Sequence, residues 1–364
     1  NTHQAAGALD AAVASYRESI ALAPDQPNVW SALGQVLLAQ GQPAAAEAAW
    51  RDGLTHTAAP AGLLNLLATA AQRRGAVAEA EALFTRSLAH EPHSAPTEYN
   101  LANLCHDQGR LAEAITHHRT ALAIDPGYML AQTALLRALQ AACDFAGTRK
   151  ATVAVLSSVD AGGDDPLAGP AQPVFPFAYL ALPSTRAQQR RCARQWVARQ
   201  LAPQIARARD IQYDPRPAAA SDRLRIGYLS SDLHAHATAY LMAEVLERHD
   251  RRRVEVFAYS SGPDDGSETR GRLIRAVDQF IECSHFSHEA LARRIRADGI
   301  DILVDLKGYT RDTRSAVLAL RPAPLQLNFL GYPGTLGAAY VDYIVGDPIV
   351  TPLSHAADYD ERIA

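Results

Sequence analysis

The stretch GAVAEAEALFTRSL at residues 75–88 is one of four copies of a single pattern. The other copies are GALDAAVASYRESI at 7–20, GQPAAAEAAWRDGL at 41–54 and GRLAEAITHHRTAL at 109–122, so the pattern recurs every 34 residues. Glycine holds the first position of each copy and alanine the sixth, an aromatic ring or histidine the tenth, and an aliphatic residue the fourteenth. A fixed period of this length predicts an array of structural repeats.

Each copy predicts a pair of helices. The glycine ends the first helix, because a positive φ costs it nothing, and the small alanine lets the two helices approach closely. The aromatic residue fills the space toward the next repeat, and a proline near the end of the copy stops the second helix. The array is predicted over residues 1–142 and resembles the tetratricopeptide repeat in its period and columns. Residues 1–24 read as a second helix only, so we expect the array to begin before residue 1.

Stacked repeats present either a concave groove for a peptide or the surface of a stalk or dimerisation arm. One column inside the expected groove is polar, and its members are Gln35, Thr69 and Asn103. In some relatives of this repeat class the column is a ladder of asparagines that grips a peptide backbone, and here Asn103 matches it. These residues are candidates for an acceptor groove that binds a protein or peptide, and a homodimer is the alternative use of the array.

The composition is that of a folded protein with more than one domain. The chain has 364 residues, of which 48% are hydrophobic and 20% charged. Its net charge of −4 argues against nucleic-acid binding driven by charge. No apolar run approaches the ~18 residues of a membrane span. The four cysteines show neither CxxC nor zinc-finger spacing, so a reducing, cytoplasmic environment is expected.

Residues 143–222 are predicted to be a linker that carries helices of its own. Within it, three glycines and four prolines at 159–176 predict a loop, and 213–222 predicts a second one. Between these loops, a helix is predicted from about Ser184 to Arg209. Its arginines are predicted to form a solvated face: Arg186, Arg190, Arg191, Arg194 and Arg199.

From residue 223 to residue 364 the pattern changes to an alternation of strands and helices. Short apolar runs predict strands at Leu224–Ser230, Val254–Ser260, Phe280–Cys283, Ile302–Leu306, Leu325–Leu330 and Tyr343–Val345. Helices are predicted at about Thr238–Arg248, Thr269–Val277 and His288–Asp298. This order predicts one doubly wound, Rossmann-like parallel sheet, in which ligands bind outside the carboxyl ends of the strands.

Three loops that follow predicted strands carry the functional signal. The first, SSDLHAHAT at 230–238, runs into a helix, whose N-terminus favours an anion and where an imidazole can exchange protons or bind that anion. The second is KGYTR at 307–311, and the third is GYPGT at 331–335. All three would lie along one edge of the sheet.

Each loop also has a simpler interpretation. His234 and His236 could form a metal pair, although no third ligand has a suitable spacing. His236 could be an ordinary surface histidine, Asp232 could cap the following helix, and 331–335 could be a plain tight turn. The glycines of the third loop do not match the dinucleotide fingerprint, so a nicotinamide cofactor is not expected.

Five segments closely resemble the nucleocytoplasmic O-linked GlcNAc transferases, and bacterial homologues of them in particular. They are LRIGYLSSDLHAH, FAYSSGPDDG, DGIDILVDLKGYT, LRPAPLQLNFLGYPGT and VDYIVGDP. Members of this family combine a tetratricopeptide array with a GT-B glycosyltransferase. Residues 223–364 would then be the amino-terminal lobe of the GT-B fold, and the carboxyl-terminal lobe would lie beyond Ala364.

The resemblance implies inverting transfer of GlcNAc from UDP-GlcNAc to Ser or Thr hydroxyls of proteins, without a metal or other cofactor. His236 matches the histidine proposed as the family's catalytic base, and its place at a helix mouth also suits holding the donor's phosphates. The residues matched to the lining of the reaction centre are Gly308, Tyr309, Tyr332, Pro333, Gly334 and Thr335. Three residues depart from the family: Asp301 stands where animal relatives carry a histidine, and His234 and Ala237 replace a glycine and a proline of the motif.

Two further hypotheses stand beside this one. The same fold could use another donor, such as GDP-fucose or UDP-glucose, because the donor pocket would lie in the second lobe. The chain could also be a non-catalytic repeat scaffold. Without a second lobe to neutralise the leaving diphosphate, we expect these residues alone to give no turnover.

Overall fold

The computed structural model describes residues 2–210 and 223–364 and divides the chain into two compact units, Asn1–Val155 and Leu156–Ala364. The loop predicted at 213–222 lies outside the described residues. The sequence predicted three segments, at 1–142, 143–222 and 223–364, whereas the structure divides into these two units. Helix α9 crosses the boundary between the units, and the helices that follow it belong to the second unit.

The regular secondary structure described for the first unit is helical. The α-helices of this part of the chain are α1 (Thr2–Leu22), α2 (Pro27–Ala39), α3 (Pro43–His56), α4 (Ala61–Arg73), α5 (Val77–His90), α6 (Ala95–Asp107), α7 (Leu111–Ile124), α8 (Met129–Ala141) and α9 (Phe145–Asp160). The repeat columns form the core, as predicted, since the alanine column and the aromatic column are buried. Their buried members are Ala46, Ala80, Ala114, Trp50, Phe84 and His118.

The glycine column makes the turns between helices. Gly41, Gly75 and Gly109 have φ of +75°, +75° and +73°, which confirms the predicted helix ends. Gly7, by contrast, lies inside α1. The column continues one period further than the sequence suggested, because Cys143 follows Gly109 by 34 residues and has a φ of +53°. The turn between α8 and α9 thus keeps the repeat geometry with a different residue.

The second unit begins with the end of α9 and a short helical region. It contains α10 (Pro176–Leu180), α11 (Arg186–Trp196), a π-helical turn (Val197–Leu201), α12 (Ala202–Arg207) and a 3-10 turn (Ala208–Asp210). A capping box starts α11, since Thr185 Oγ1 accepts from the Gln188 backbone N–H and the Gln188 side chain accepts from the Thr185 N–H. This region is the arginine-rich helix predicted from the sequence.

The arginines predicted to form a solvated face are partly exposed, as predicted, but each also binds a carboxylate or carbonyl group of the chain. Arg190 and Arg194 both bind Asp360, with Nη2 of each lying 2.5 Å from Oδ1. Arg191 pairs with Asp160, Arg186 with Asp358, and Arg199 donates to backbone carbonyls of the 159–176 segment. The partners of Arg186, Arg190 and Arg194 lie more than 160 residues further along the chain, beyond the reach of any local pattern.

The sheet is parallel throughout, in the order β3-β2-β1-β4-β5-β6-β7. Its strands are β1 (Leu224–Ser230), β2 (Val254–Ser260), β3 (Gln279–Glu282), β4 (Ile302–Asp305), β5 (Leu325–Phe329), β6 (Tyr343–Val345) and β7 (Arg362–Ile363). The helices between or after strands are α13 (Ala237–Glu247), α14 (Glu268–Arg275), α15 (His288–Ala297) and α16 (Ser315–Ala319). The two-residue β7 and the short α16 were not predicted.

Both faces of the sheet are covered by core. Leu229 and Leu303 pack in the cluster on one face, whereas Tyr228 and Val304 pack in the cluster on the other. Burial on both faces is the property that distinguishes a doubly wound parallel sheet from a half-exposed antiparallel one. The predicted fold, a helical repeat array followed by a Rossmann-like sheet, is confirmed.

Candidate active site

Three loops meet at the carboxyl edge of the sheet. The His loop (residues 231–236) follows β1, the Lys loop (306–311) follows β4, and the Pro-Gly loop (330–336) follows β5. Strands β1 and β4 are neighbours in the sheet, with β2 and β3 on the other side of β1. The His and Lys loops therefore flank the topological switch point, where sheets of this kind bind ligands.

A buried ion pair joins the His loop to the Lys loop. Lys307 Nζ lies 2.6 Å from Asp232 Oδ2, and the two residues are 5% and 8% exposed. The Asp232 carboxylate also accepts a hydrogen bond from Ser231 Oγ. Removal of either charge would leave the other buried without compensation, which is strongly destabilising. Asp232 is thus an ion-pair partner, and the simpler interpretation of it as the helix cap is wrong.

His236 is the N-cap of α13. Its Nδ1 accepts a hydrogen bond from the Thr238 backbone N–H at 3.2 Å, and Asp232 Oδ2 lies 3.6 Å from the same nitrogen. Since Nδ1 is the acceptor, the proton of the neutral ring lies on Nε2. The side chain is 43% exposed, and the described residues provide no partner for Nε2. The ring therefore presents an N–H donor at a helix N-terminus, where the dipole already favours negative charge.

Asp265, in the loop after β2, holds the other side of the His loop. Its Oδ2 accepts from the Ala235 backbone N–H at 2.9 Å and lies 3.8 Å from His234 Nδ1. Hydrogen bonds from Ala235 and Ser267 lower the pKa of Asp265 to about 2. Within the described ranges, no three His, Cys, Asp or Glu side chains come together in a way that could hold a metal ion.

Asp305 holds the Lys loop. Its two carboxylate oxygens accept hydrogen bonds from the backbone N–H groups of Lys307 and Gly308, each at 3.0 Å. Burial raises the pKa of this carboxyl to about 7, against the opposing effect of the two N–H donors and the Lys307 charge. A buried acid with a strongly shifted pKa at a ligand-binding edge is a common feature of functional sites.

The Pro-Gly loop packs directly on the Lys loop. A Cβ on Gly331 would overlap the Leu306 carbonyl, and a Cβ on Gly308 would overlap the Tyr332 side chain. Gly308 also has a φ of +53°, so two independent constraints require glycine there. The Tyr309 hydroxyl donates to the Leu336 carbonyl at 2.6 Å. The structure thus brings all three predicted loops into one continuous cluster.

Several predicted substrate-binding residues have buried side chains. Tyr309, Tyr332 and Thr335 are 0%, 2% and 5% exposed, and burial raises the pKa of both tyrosines. Among the predicted residues of the Lys and Pro-Gly loops, the Pro333 side chain is the exposed one. A ligand at this edge would meet Pro333 and loop backbone, while the two tyrosines and Thr335 support the loops from behind.

Carboxylates that the sequence analysis did not single out fix each of the three loops. Asp265 and Asp305 serve the His and Lys loops, and Glu361 serves the Pro-Gly loop through Thr335 and Leu336. The first two left a signal in the sequence, since each comes at or soon after a strand end and before a glycine. Glu361 left none, because it follows the loop by 25 residues.

Asp301, one of the departures from the family pattern, lies at the opposite edge of the sheet. It precedes β4, and its Oδ2 accepts from the Arg225 backbone N–H at 2.8 Å. It therefore lies at the other end of β4 from the Lys loop. The other two departures, His234 and Ala237, lie in or beside the His loop.

The predicted groove residues of the first unit have three different environments. Gln35 is exposed, and Asn103 is half-buried. Thr69 donates to the Asn65 carbonyl and lines a cavity of about 590 Å³ together with Trp50 and other residues of α2–α4. An asparagine pair that the sequence analysis missed bridges α4 and α6, since Asn100 Nδ2 donates to Asn65 Oδ1 at 2.9 Å.

None of the helices in the described part of the chain has the length and apolar character that a membrane span needs.

Parts of both units match models of known protein families. Residues 173–364 match the model of glycosyl transferase family 41, which is more than half of the chain. Residues 1–41 and 65–129 match models of the TPR repeat and the tetratricopeptide repeat. The family match begins within the region predicted as a linker, in agreement with the packing of that region in the second unit.

Two relatives are 43% identical to this chain over 141 and 143 residues. They are the probable UDP-N-acetylglucosamine–peptide N-acetylglucosaminyltransferase SEC of Arabidopsis thaliana and the UDP-N-acetylglucosamine–peptide N-acetylglucosaminyltransferase of Caenorhabditis elegans. Each match covers 39% of this chain but 14% and 12% of the relative, so the chain spans a small part of their length.

A solved structure of a Thermobaculum terrenum O-GlcNAc transferase mutant is similar over 93% of this chain and 56% of its own. The TM-score is 0.53 and the sequence identity 26%. The resemblance inferred from the SSDLHAH and GYPGT segments is thereby confirmed. The repeat array, the doubly wound sheet and the family match agree: the chain belongs to glycosyl transferase family 41 and carries tetratricopeptide repeats at its amino-terminal side.

Proposed function

We propose that this chain is part of an inverting protein O-glycosyltransferase that transfers GlcNAc from UDP-GlcNAc to Ser or Thr hydroxyls. The observation that carries the proposal is the assembly of the His, Lys and Pro-Gly loops at the switch point of a family 41 sheet, with the His236 imidazole at a helix N-terminus. The names of the 43% identical relatives support the donor and the acceptor class.

In the proposed reaction, the hydroxyl oxygen of the acceptor forms a bond to the anomeric carbon, and the bond from that carbon to the diphosphate oxygen breaks. UDP leaves with the bonding electron pair, and the hydroxyl proton is released. Correct in-line placement of the two reactants supplies a large share of such rates. The rigid Pro-Gly loop is suited to that placement, since Gly308, Gly331 and Tyr332 leave it little room to move.

His236 is suited to the leaving side of this reaction. A general base needs an unprotonated nitrogen, but the Thr238 N–H occupies Nδ1 and leaves the proton on Nε2. The exposed Nε2–H can instead donate to a phosphate or sugar oxygen of the donor, where negative charge develops. We therefore assign His236 to donor binding and charge stabilisation in preference to proton abstraction.

The acceptor is proposed to bind the repeat array. The candidates are the polar column of Gln35, Thr69 and Asn103 and the cavity that Thr69 lines with Trp50. Main-chain contacts from such a surface would admit many acceptor sequences.

Calorimetric titration of the full-length protein with UDP and UDP-GlcNAc, followed by a transfer assay on protein acceptors, tests the proposal. Micromolar binding and transfer that persists in EDTA are the expected results. Binding of GDP-fucose or UDP-glucose in preference to UDP-GlcNAc would overturn the donor assignment. Absence of binding to any of these nucleotides would overturn the assignment as a glycosyltransferase and favour the non-catalytic repeat scaffold.

A further inference from the structure

Glu361 makes an unusual set of contacts for a residue so far along the chain from the loop cluster. It is 4% exposed, and its two carboxylate oxygens accept from two different donors of the Pro-Gly loop. Oε2 accepts from the Thr335 hydroxyl and Oε1 from the Leu336 backbone N–H, both at 2.6 Å. Each oxygen thus holds a separate group of the same turn.

Thr335 links this carboxylate to two more backbone groups. Its Oγ1 accepts from the backbone N–H of Gly337 at 3.0 Å and of Asp360 at 3.2 Å while its own proton goes to Glu361. The hydroxyl is therefore fully used, with two donors received and one given. This network joins the loop after β5 to the backbone of residues 360–361.

The segment of residues 357–361 also binds α11. The Asp360 carboxylate binds Arg190 and Arg194 of α11, and the Arg190 Nη1 donates to the Ala357 carbonyl at 2.7 Å. Asp360 thus holds this segment to α11, and Glu361 holds it to the Pro-Gly loop. A buried, fully satisfied polar network of this kind specifies one geometry rather than a range of them.

We propose that Glu361 is a positioning residue for glycosyl transfer, because its carboxylate fixes the conformation of the Pro-Gly loop from behind. Pro333, the exposed residue of the loop, lies two residues before Thr335, the first of the two groups that Glu361 holds. The inference rests on the proposed function for its catalytic consequence, but the loop contact itself is independent of that function.

Glu361→Gln is a sharp test, because neither orientation of the amide suits the site. An amide NH₂ at Oε1 would face the Leu336 N–H, donor against donor. An NH₂ at Oε2 would face the Thr335 oxygen, which already accepts from Gly337 and Asp360. Thr335→Val removes the hydroxyl at nearly constant volume and serves as a second, milder variant. Thr335→Ser restores the hydroxyl.

In the full-length protein, kcat of Glu361→Gln is expected to fall by about 10- to 100-fold, the range of effects that sub-ångström to ångström misplacement produces. KM for UDP-GlcNAc should change less than kcat, since the variant leaves the His loop intact. Thr335→Val should lower kcat in the same way, and Thr335→Ser should recover most of that loss. Asp358→Asn, which removes an exposed pair with Arg186 three residues before Glu361, is the matched control and should behave as wild type.

Amide hydrogen exchange at Leu336 separates this inference from the proposed function. Faster exchange is expected in Glu361→Gln than in wild type and in Asp358→Asn, whether or not the wild type transfers GlcNAc. If Glu361→Gln does not fold, Thr335→Val gives the same comparison of kcat and exchange. Wild-type kcat together with unchanged Leu336 exchange in a folded variant would overturn the assignment.

Discussion

At the scale of single residues, the His236 ring has an observed structural task, the capping of α13, and a proposed chemical one. Its Nδ1 caps α13, and its Nε2 carries the proton that a ligand oxygen can accept. Asparagine is among the best N-caps, whereas alanine is a poor one. Substitution can therefore separate the structural task from the chemical one.

We expect His236→Asn to keep the cap and lose the crevice donor, and His236→Ala to lose both. The free energy of unfolding should fall by about 1 kcal/mol in His236→Ala and by a few tenths at most in His236→Asn. Transfer should fall by about 100-fold or more in both, as when a hydrogen-bond donor to developing charge is removed. Urea unfolding and transfer kinetics measure the two effects, and full transfer by the asparagine variant would rule out the proposed role.

Asp305 should make stability depend on pH in an unusual direction. Its pKa is raised to about 7 in the folded state, above the ordinary value of about 3.9 in the unfolded chain. Between these values the native state holds a proton that the unfolded state releases, so the contribution of this group falls as pH rises from about 4 to about 7. The slope for one such proton is at most about 1.4 kcal/mol per pH unit.

Urea unfolding of wild type and Asp305→Asn at pH values between about 4.5 and about 7.5 isolates this contribution. The wild type should lose stability relative to the variant as pH rises, whatever the constant cost of the substitution. A difference that stays flat across the range would mean that the carboxyl is ionised throughout, as its two N–H donors favour.

At the scale of secondary-structure elements, the turn at Cys143 has the left-handed backbone conformation of the other repeat turns, although cysteine disfavours that conformation. The matching turns use glycine at φ near +75°, but Cys143 holds a φ of +53° with a side chain present. A non-glycine residue in this region costs roughly 1 kcal/mol. Cys143→Gly should therefore raise the free energy of unfolding by about that amount, and Gly109→Ala, the converse change one repeat earlier, should lower it similarly.

Chemical denaturation of the two variants checks this pair. Open space surrounds the position that a Cβ on Gly109 would take, so crowding would not obscure the backbone effect. A stabilising effect of Gly109→Ala would contradict the assignment of this column to left-handed turns.

Most elements could be predicted from the sequence because each depends on a short-range pattern. The 34-residue period marked the helix pairs, and the apolar runs of β1, β2 and β6 matched the observed strands residue for residue. What escaped prediction depends on pairs distant in the chain. The burial of Tyr309 and Tyr332, the arginine contacts to Asp360 and the hold of Glu361 on the Pro-Gly loop arise only after folding brings these segments together.

The three loops themselves could be located because parallel strands end at a common edge. Their chemistry could be predicted only in part. His236 was predicted as a site residue, but the tautomer that the Thr238 N–H imposes is a property of backbone geometry and not of residue type. Asp301, by contrast, looked relevant in the sequence and lies at the wrong edge of the sheet.

At the scale of the whole molecule, buried cysteines lie in both units, so their reactivity can follow the unfolding of each unit separately. Cys143 is exposed, whereas Cys105, Cys192 and Cys283 are buried, and burial raises the pKa of all three thiols, that of Cys283 to about 11. Cys105 belongs to the first unit, and Cys192 and Cys283 to the second. Native protein should therefore expose one fast-reacting thiol out of the four.

Pulsed thiol labelling across a urea gradient, with mass spectrometry of the peptides, tests this expectation. Cys192 and Cys283 should become reactive together, because they belong to the same α/β unit, while Cys105 follows the transition of the repeat core. Rapid labelling of Cys192 or Cys283 in native protein would contradict the packing of the α/β unit.

The strand order also governs how the protein emerges from the ribosome. Helices of the array pack against near neighbours in the chain, so they can fold as they appear. Strand β1 must wait for β4, and Arg190 and Arg194 must wait 170 and 166 residues for Asp360, which at ~5–20 residues per second is roughly 10–30 s. Until β4 appears, one edge of β1 stays unpaired, and until Asp360 appears, Arg190 and Arg194 lack their countercharge. Chaperone binding during synthesis is therefore expected on the nascent α/β unit in preference to the repeat array.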